Sequence, residues 1–572
     1  MSSIVYSGLK IFLRNATDIY FHNIYVTGVE NMPMEGPTIL CCNHSNQFMD
    51  AMLLIAQCPR PLSFCFAASS YNKPIIGPLA KKIHVIPVYR AEDSKVAGKG
   101  KIIMTSDTEI QGFNTKFISD VKNNPIFKLG IHSISIQKKY KLIVEKVIDE
   151  EHMKVKSAPD IYEALKKQGK LNFMYYPKLD NSIMFKEACQ KLKENKAVCI
   201  FPEGTSHDRT HLLQLKPGVA YIALEAMANY GIKNIKILSC GFSYFNRDEF
   251  RSDLVLEFGV PYVIPESLVN IFIADKKHAI DIVLKIVESQ MKSVILTAPT
   301  YKEYMLIKML RNLYVPKNCI VAPEKSIELA RRIKYIYNSV RDNKKTKQIK
   351  MKVIKYIDPL EQLGLDDNDI KEMHLNYKLL IKKFIYSLFV FIINLCIGSI
   401  MLLITLPIVI FVEKKVEKER NKSLEKNPNK IQAKDVVSSV KIVTFFKYLP
   451  IPGTIWILFC YLFANYFLNR FTHKEYDFLY VFFIGCITFV LYGYLTIKIY
   501  DKLKFHFFTL KTIFYFLVVP KGIDNLKDMR QKLVNDVNDF INESIIDTQY
   551  ENNRIIEQKK KASKSLLEEK MF

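Results

Sequence analysis

The chain has 572 residues, too many for one ordinary domain, and a net charge of +25 from 82 Lys and Arg against 57 Asp and Glu. That balance calls for anionic partners, and the apolar residues, 49% of the total, crowd toward the C-terminus, which favours a membrane over nucleic acid. The 11 cysteines form no CxxC pair and no Cys/His metal spacing, so they read as reduced thiols of a protein facing the cytosol, and no metal is implied.

Residues 1–28 are amphipathic: Val5, Leu9, Phe12 and Leu13 recur near helical spacing beside Lys10 and Arg14. Two readings stand side by side, a helix packed on its own domain and a helix lying at a membrane surface. The segment lacks the long apolar core and cleavage site of a signal peptide. Residues 37–90 then alternate strand and helix, through PTILCCN, FMDAMLLIAQ, PLSFCFAA and KKIHVIPVYR. The alternation returns from 182 to 265, so residues 29–265 are expected to form an α/β domain, a mixed sheet covered by helices. Short β-type runs between polar turns set residues 103–170 apart as a small β-rich insert outside the catalytic machinery. Residues 266–382 are helix-rich and basic, and a solvated helical face is the simplest account of such a charge run.

The membrane region is expected over 383–520. The run 384–412 is apolar throughout, and the loop 413–449 that follows is dense in Lys and Arg, which favours the cytosolic side. The α/β domain belongs on that side too, so 384–412 is expected to be a re-entrant element, kinked near Gly398 or Pro407. Residues 452–469 and 478–497 read as the two spans of a hairpin. Residues 507–519 are short and carry Lys511, which predicts an interfacial segment. The tail, 521–572, has Leu526, Met529, Leu533, Val537, Phe540 and Ile541 at helical spacing, a surface helix or weak coiled coil, before a charged, disordered end.

Four pieces carry chemistry in a fixed order. NHSNQFMD places His44 and Asp50 just after an apolar strand, a base with an orienting carboxylate. IPVYRAED places Arg90 at a strand end. IFPEGTSHDRTHLLQLKPG makes a tight loop whose backbone N–H groups can surround a phosphate or an oxyanion. ILSCGFSYFNRDEFRSDLVLEFG is a strand, a turn and a strand. Each piece alone is weak, since a lone histidine is more often structural and a lone arginine is usually a surface ion pair.

Together the four pieces resemble the glycerolipid acyltransferase superfamily, and within it the fungal Gat-type glycerol-3-phosphate/dihydroxyacetone phosphate acyltransferases of the endoplasmic reticulum. The resemblance runs from about residue 5 to 520 and includes YYPKLDNSIMFKEACQKL and KIQAKDVVSSVKIV. Two departures from the superfamily pattern stand out. Five residues, not the common four, separate His44 from Asp50, a spacing the Gat-type branch shares. Ser239-Cys240 stand where the fourth motif commonly has a proline after its strand, which weakens any role for that segment in binding the acyl chain.

The resemblance implies a multi-pass enzyme of the endoplasmic reticulum membrane with its catalytic domain in the cytosol. It would move an acyl group from acyl-CoA, a co-substrate with no further cofactor, to the sn-1 hydroxyl of glycerol 3-phosphate or to dihydroxyacetone phosphate. His44 would be the general base and Asp50 its orienter. Arg90 is the first choice for the acceptor phosphate and Arg209 the second, with Lys216 and Arg251 weaker. Glu203 would orient its loop or bind an acceptor hydroxyl, Gly204 would allow close backbone approach, and Thr205 would donate a hydrogen bond. His207 and His211 read as loop structure. A lysophosphatidate acyltransferase and a catalytically inactive membrane scaffold are the alternatives.

Overall fold

The computed structural model describes residues 2–68, 81, 83, 85–89, 94–122, 127, 129–137, 140–178, 181–314, 322–363, 365–372, 377–426, 430–472, 477–518 and 524–544. Arg90 lies outside the described residues.

The catalytic domain is built on a mixed eight-stranded sheet. Its strands are β1 (Ile24–Thr27), β2 (Thr38–Cys42), β3 (Leu62–Ala67), β4 (Ile86–Val88), β5 (Ala197–Ile200), β6 (Lys236–Tyr244), β7 (Leu254–Phe258) and β8 (Tyr262–Val263). The order is β1-β7-β6-β2-β5-β3-β4, with β8 on β6. Neighbours are parallel except β7 and β8, which run antiparallel to β6. Both faces are covered, which is why β5 is apolar at every position and β2 turns apolar residues to both sides. In β2, Leu40 and Cys42 enter one core with the helices Ser2–Tyr20 and Gln47–Gln57, while Ile39 and Cys41 enter the other with Ser182–Lys193, Gly218–Tyr230 and Lys276–Val294.

Several expected boundaries move. The N-terminal helix ends at Tyr20 and the next residues already enter the sheet as β1. Tyr6, Leu13, Ala16 and Tyr20 pack into the domain core, whereas Ile4, Ile11 and Phe12 stay exposed on the other side. The catalytic domain does not stop at 265. Ala279, Val283, Val287 and Met291 of Lys276–Val294 belong to its core, so that part of the basic extension is a covering helix. The insert is wider than 103–170: its seven-stranded antiparallel sheet also takes in Val96–Ala97, Lys101–Met104 and Phe173–Pro177. The flanks of the insert pair with each other across the chain, which a linear reading does not see.

Behind the catalytic domain, Tyr301–Tyr314, Pro323–Ser339 and Lys344–Leu363 share a third core with helical residues 524–544. Leu526, Leu533, Val537 and Phe540 of the tail are buried there, so the tail is a member of this bundle. Its centre holds a buried ion pair in which Arg530 donates to Asp367 at 2.8 and 2.9 Å.

Among the described residues three helices are long and apolar enough to cross a membrane, in Lys378–Glu425, Pro450–Phe467 and Phe478–Val518. Two of them correct the expected segmentation. The region 384–412 lies inside one unbroken helix, Tyr377–Lys426, with Pro407 in its interior. A proline removes one N–H bond from the ladder, and in an apolar setting the remaining groups have no partner but the helix itself. Residues 507–519 are no separate interfacial segment: through Val518 they continue the helix Phe478–Val518. Nothing between 497 and 507 breaks a helix, and Ile513 and Phe516 pack into the soluble bundle.

Candidate active site

The C-terminal ends of β2, β5 and β6 lie side by side, and each delivers one part of a site there. This is the edge where parallel sheets bind their ligands. From β2 the chain turns sharply into the helix Gln47–Gln57. The extra residue between His44 and Asp50 is absorbed in this turn, where Gln47 takes a φ of 42°, a left-handed conformation costly for a residue with a side chain. Asn43 anchors the turn to β6, accepting from the Phe242 N–H at 2.8 Å and donating to its carbonyl at 3.2 Å.

The turn brings His44 Nδ1 to 2.9 Å from Asp50 Oδ2. Asp50 is fully buried. Its Oδ2 also accepts the Asn46 N–H at 2.8 Å, and its Oδ1 accepts the Tyr244 hydroxyl at 2.5 Å. Burial and then the Asp50 charge push the Tyr244 phenol well above its ordinary pKa, so it keeps its proton and donates. The His44 ring stacks on Phe201 of the third motif, centroid to centroid 4.2 Å. With Nδ1 occupied by the carboxylate, Nε2 is the nitrogen left for a substrate, the arrangement of a general base with its orienter.

Glu203 ties the third motif to this turn. Its Oε1 accepts the His44 N–H at 3.0 Å. Its Oε2 accepts the Leu213 N–H at 2.8 Å and the His207 Nε2–H. The Arg209 N–H donates to His207 Nδ1 at 3.1 Å, which fixes the tautomer: Nδ1 accepts, so Nε2 carries the proton. Both Glu203 oxygens are committed to protein donors, so of its two expected roles the geometry supports orienting the loop over binding an acceptor hydroxyl. His207 is part of that scaffold. His211 has a buried Nδ1 with no hydrogen-bond partner among the described residues. Burial, then Arg209 and His207, lower its pKa, against Glu203, and keep it neutral.

Gly204 sits at a φ of 70°, and a Cβ there would stand 3.3 Å from Lys216 Cγ. Thr205, Arg209 and Lys216 belong to the same loop, Thr205 and Arg209 half-buried and Lys216 exposed. The loop's main chain touches the catalytic turn directly, where the His207 N–H donates to the His44 carbonyl at 3.1 Å.

Arg251 is not part of this constellation. Its guanidinium forms a bidentate pair with Asp501 of the helix Phe478–Val518, at 2.8 and 2.7 Å, and donates to the Asp18 and Ile19 carbonyls that end the N-terminal helix. It couples the catalytic domain to a membrane helix. Ser239 and Cys240 are fully buried in β6 against Cys41 and Cys42, as core residues. Two residues near the dyad escaped sequence reasoning. Tyr244 lies 194 positions from Asp50, and Arg247 staples the turn by donating to the Ser45 and His207 carbonyls at 3.5 and 3.2 Å. Only the register of β6 against β2 could have pointed to Tyr244. Among the described residues no cluster of three or more His, Cys, Asp or Glu could hold a metal ion.

Two family models match the chain. The acyltransferase family covers residues 23–108 and 167–243, breaking off across most of the insert, and the glycerol-3-phosphate acyltransferase 2 C-terminal domain covers 306–545. An uncharacterized acyltransferase of Schizosaccharomyces pombe is 28% identical over 94% of this chain and 81% of that protein. Glycerol-3-phosphate O-acyltransferase 1 of Saccharomyces cerevisiae is 29% identical over 94% of this chain and 71% of its own length. Glycerol-3-phosphate O-acyltransferase 2 of the same yeast is 28% identical over 77% and 63%. The similarity runs through both halves of the molecule, motif domain and helical region alike. The chain is a membrane protein and an acyltransferase, with an acyltransferase domain followed by a glycerol-3-phosphate acyltransferase 2 C-terminal domain.

Proposed function

We propose that the enzyme transfers a fatty acyl group from acyl-CoA to the sn-1 hydroxyl of glycerol 3-phosphate, with dihydroxyacetone phosphate as a second acceptor. The observation that carries this reading is the similarity to two yeast glycerol-3-phosphate O-acyltransferases across both halves of the chain, joined to an assembled His44–Asp50 dyad. His44 Nε2 takes the proton of the acceptor hydroxyl as its oxygen attacks the thioester carbonyl. The tetrahedral intermediate collapses, the C–S bond breaks, and the imidazolium returns its proton to the departing CoA thiolate. Asp50 holds the ring and stabilises its cationic form. No enzyme nucleophile, metal or further cofactor enters this scheme. Arg209 and Lys216, with Arg90, supply the charge-assisted donors for the acceptor phosphate. Gly204 lets the backbone come close to the same ligand, and the Thr205 hydroxyl would add a donor.

The basic loop after residue 412 and the thiol-rich catalytic core favour a cytosolic catalytic domain on the endoplasmic reticulum membrane. Purified protein given acyl-CoA with glycerol 3-phosphate, dihydroxyacetone phosphate or lysophosphatidate tests the acceptor. Turnover with a three-carbon phosphate at least about tenfold above that with lysophosphatidate is expected. The reverse order would make it a lysophosphatidate acyltransferase, and no turnover with any acceptor would leave a membrane scaffold.

A further inference from the structure

The catalytic turn is held in place from the far end of the chain. The helix Gln47–Gln57 has no side-chain cap of its own: Asn46, at its N-terminus, instead donates from Nδ2 to the Arg247 carbonyl at 3.2 Å. The capping position is filled by Ser439. Its Oγ accepts at 3.0 Å the Met49 N–H, which also donates to the Asn46 carbonyl at 2.9 Å, and itself donates to that carbonyl at 2.9 Å, across 390 and 393 residues of sequence. Ser439 is 5% exposed, so no water competes for these bonds. They bracket Gln47, the residue in the left-handed conformation, and lie one residue from Asp50. A strained turn persists only where its surroundings over-determine it.

The helix that carries Ser439, Val437–Tyr448, is itself fastened at its entry. The Asp208 carboxylate accepts the N–H groups of Ile431, Gln432 and Lys434 at 2.7, 2.6 and 3.3 Å. Asp435 is fully buried and accepts the Ser206 hydroxyl at 2.6 Å and the Lys430 ammonium. The Ser438 hydroxyl donates to the Arg247 carbonyl. All of these contacts but the Lys430–Asp435 pair join the C-terminal domain to the loops that carry His44, Glu203 or Arg247.

We infer that Ser439 is a positioning residue for acyl transfer: as a cap supplied by the C-terminal domain, it holds the Asn46–Asp50 turn in the form that sets Asp50 against His44. The helical domain therefore completes the catalytic site, beyond anchoring it to lipid. The inference rests on the acyl-transfer reading of that site.

The test uses the full-length chain in detergent or nanodiscs, with the acceptor the parent enzyme turns over best. Ser439→Ala should lower kcat about tenfold or more, because small misplacements at a catalytic pair are costly. The KM values for acyl-CoA and acceptor should stay within about twofold, as expected when only the transition state loses support. Ser439→Cys keeps the volume but offers a weak donor and acceptor, and should show an intermediate loss with parental thermal stability. Ser439→Thr restores the hydroxyl and should recover most of kcat. Parental kcat in both Ser439→Ala and Ser439→Cys would overturn the inference. So would a loss of activity that tracks loss of folded protein and is not recovered by Ser439→Thr. Failure of the parent itself to transfer an acyl group would refute the underlying reading instead.

Discussion

At the scale of single residues the site divides into groups that react and groups that hold them. Asp50 accepts three donors, from His44, Asn46 and Tyr244, and is sealed from water. Asp50→Asn replaces one acceptor oxygen by a donor facing those same groups, so the imidazole loses its fixed orientation. We expect kcat to fall by about 10⁴, the loss typical of the corresponding change in a serine-type triad, with folding and membrane insertion intact. Steady-state kinetics on purified protein checks it, and activity within tenfold of the parent would sink the dyad assignment. Tyr244→Phe removes a single bond to a charged group, worth about 1.5–3 kcal/mol. The expected result is a kcat lower by about one to two orders of magnitude with unchanged KM values. His44 and Asp50 were legible in the sequence because both lie within one short motif whose chemistry is self-explanatory. Tyr244, Arg247 and Ser439 were not, because nothing local distinguishes them. Their roles exist only after β6 pairs with β2 and a distant helix docks.

At the scale of elements, two junctions between the halves of the molecule can be broken separately. The first is the Arg251–Asp501 pair, in which the arginine side chain is 6% and the aspartate 19% exposed. From the sequence Arg251 was a weaker candidate for the acceptor phosphate, after Arg90 and Arg209, as the resemblance implied. What the sequence conceals is that Asp501 and Lys504 of a long, largely apolar helix find their partners in Arg251 and Glu249. Arg251→Ala should leave the acceptor KM unchanged. It should instead destabilise the protein by roughly 3–5 kcal/mol, the usual cost of stranding one member of a buried pair. A thermal melt of the solubilised protein reads this; a raised acceptor KM with unaltered melting would return Arg251 to the substrate site. The second junction is Asp208 with the amides of Ile431, Gln432 and Lys434. Burial raises the carboxyl pKa, but the three N–H groups outweigh it and the net shift is downward from 3.8. A depressed carboxylate contributes its stability above the unfolded pKa and loses it as pH falls through the folded value. The clasp is therefore fully closed at neutral pH and opens only below about pH 4. Hydrogen exchange at Ile431 and Gln432 should accelerate in that acid window in the parent, and already at neutral pH in Asp208→Asn. Exchange insensitive to both would remove the clasp from the account. The strands and the covering helices of the catalytic domain were legible from their periodicity. The insert's true edges were not, because its outer strands are fixed by pairing across more than 70 residues.

At the scale of the whole molecule, the arrangement of the apolar helices limits how the chain can sit in a bilayer. A helix that crosses places its two ends on opposite sides of about 30 Å of hydrocarbon. Polar groups at the two ends of the apolar run 384–412 turn toward protein. At one end Lys383 lines a cleft with His22 and Arg251. At the other, Glu413 pairs with Lys441 at 2.9 Å, and Lys441 also donates to the Asp248 carbonyl at 3.4 Å. Asp248 and Arg251 are three residues apart, a reach of at most about 10 Å. The polar loop 248–251 therefore lies alongside this region, with Arg251 on Asp501 and the Asp248 carbonyl on Lys441. The outward side chains of the run, among them Ile385, Phe389, Ile392, Leu403, Leu406 and Ile410, remain exposed and apolar. The helix Tyr377–Lys426 is expected to lie along the membrane surface of the catalytic domain, lipid on one side and protein on the other. The crossing is then left to Pro450–Phe463 and the first half of Phe478–Val518, which pack as a hairpin with Gly485 against Ile457 and Trp456 bonded to Thr488. The charged stretch from Lys498 to Lys504 marks where the second arm returns to the interface. In microsomes, an N-glycosylation acceptor inserted between Lys426 and Lys430 should stay unmodified, while one inserted between Thr472 and Asp477 should be glycosylated. Modification at the first position would mean that the run 384–412 crosses, and that the contacts made by Lys383 and Glu413 do not survive in the bilayer.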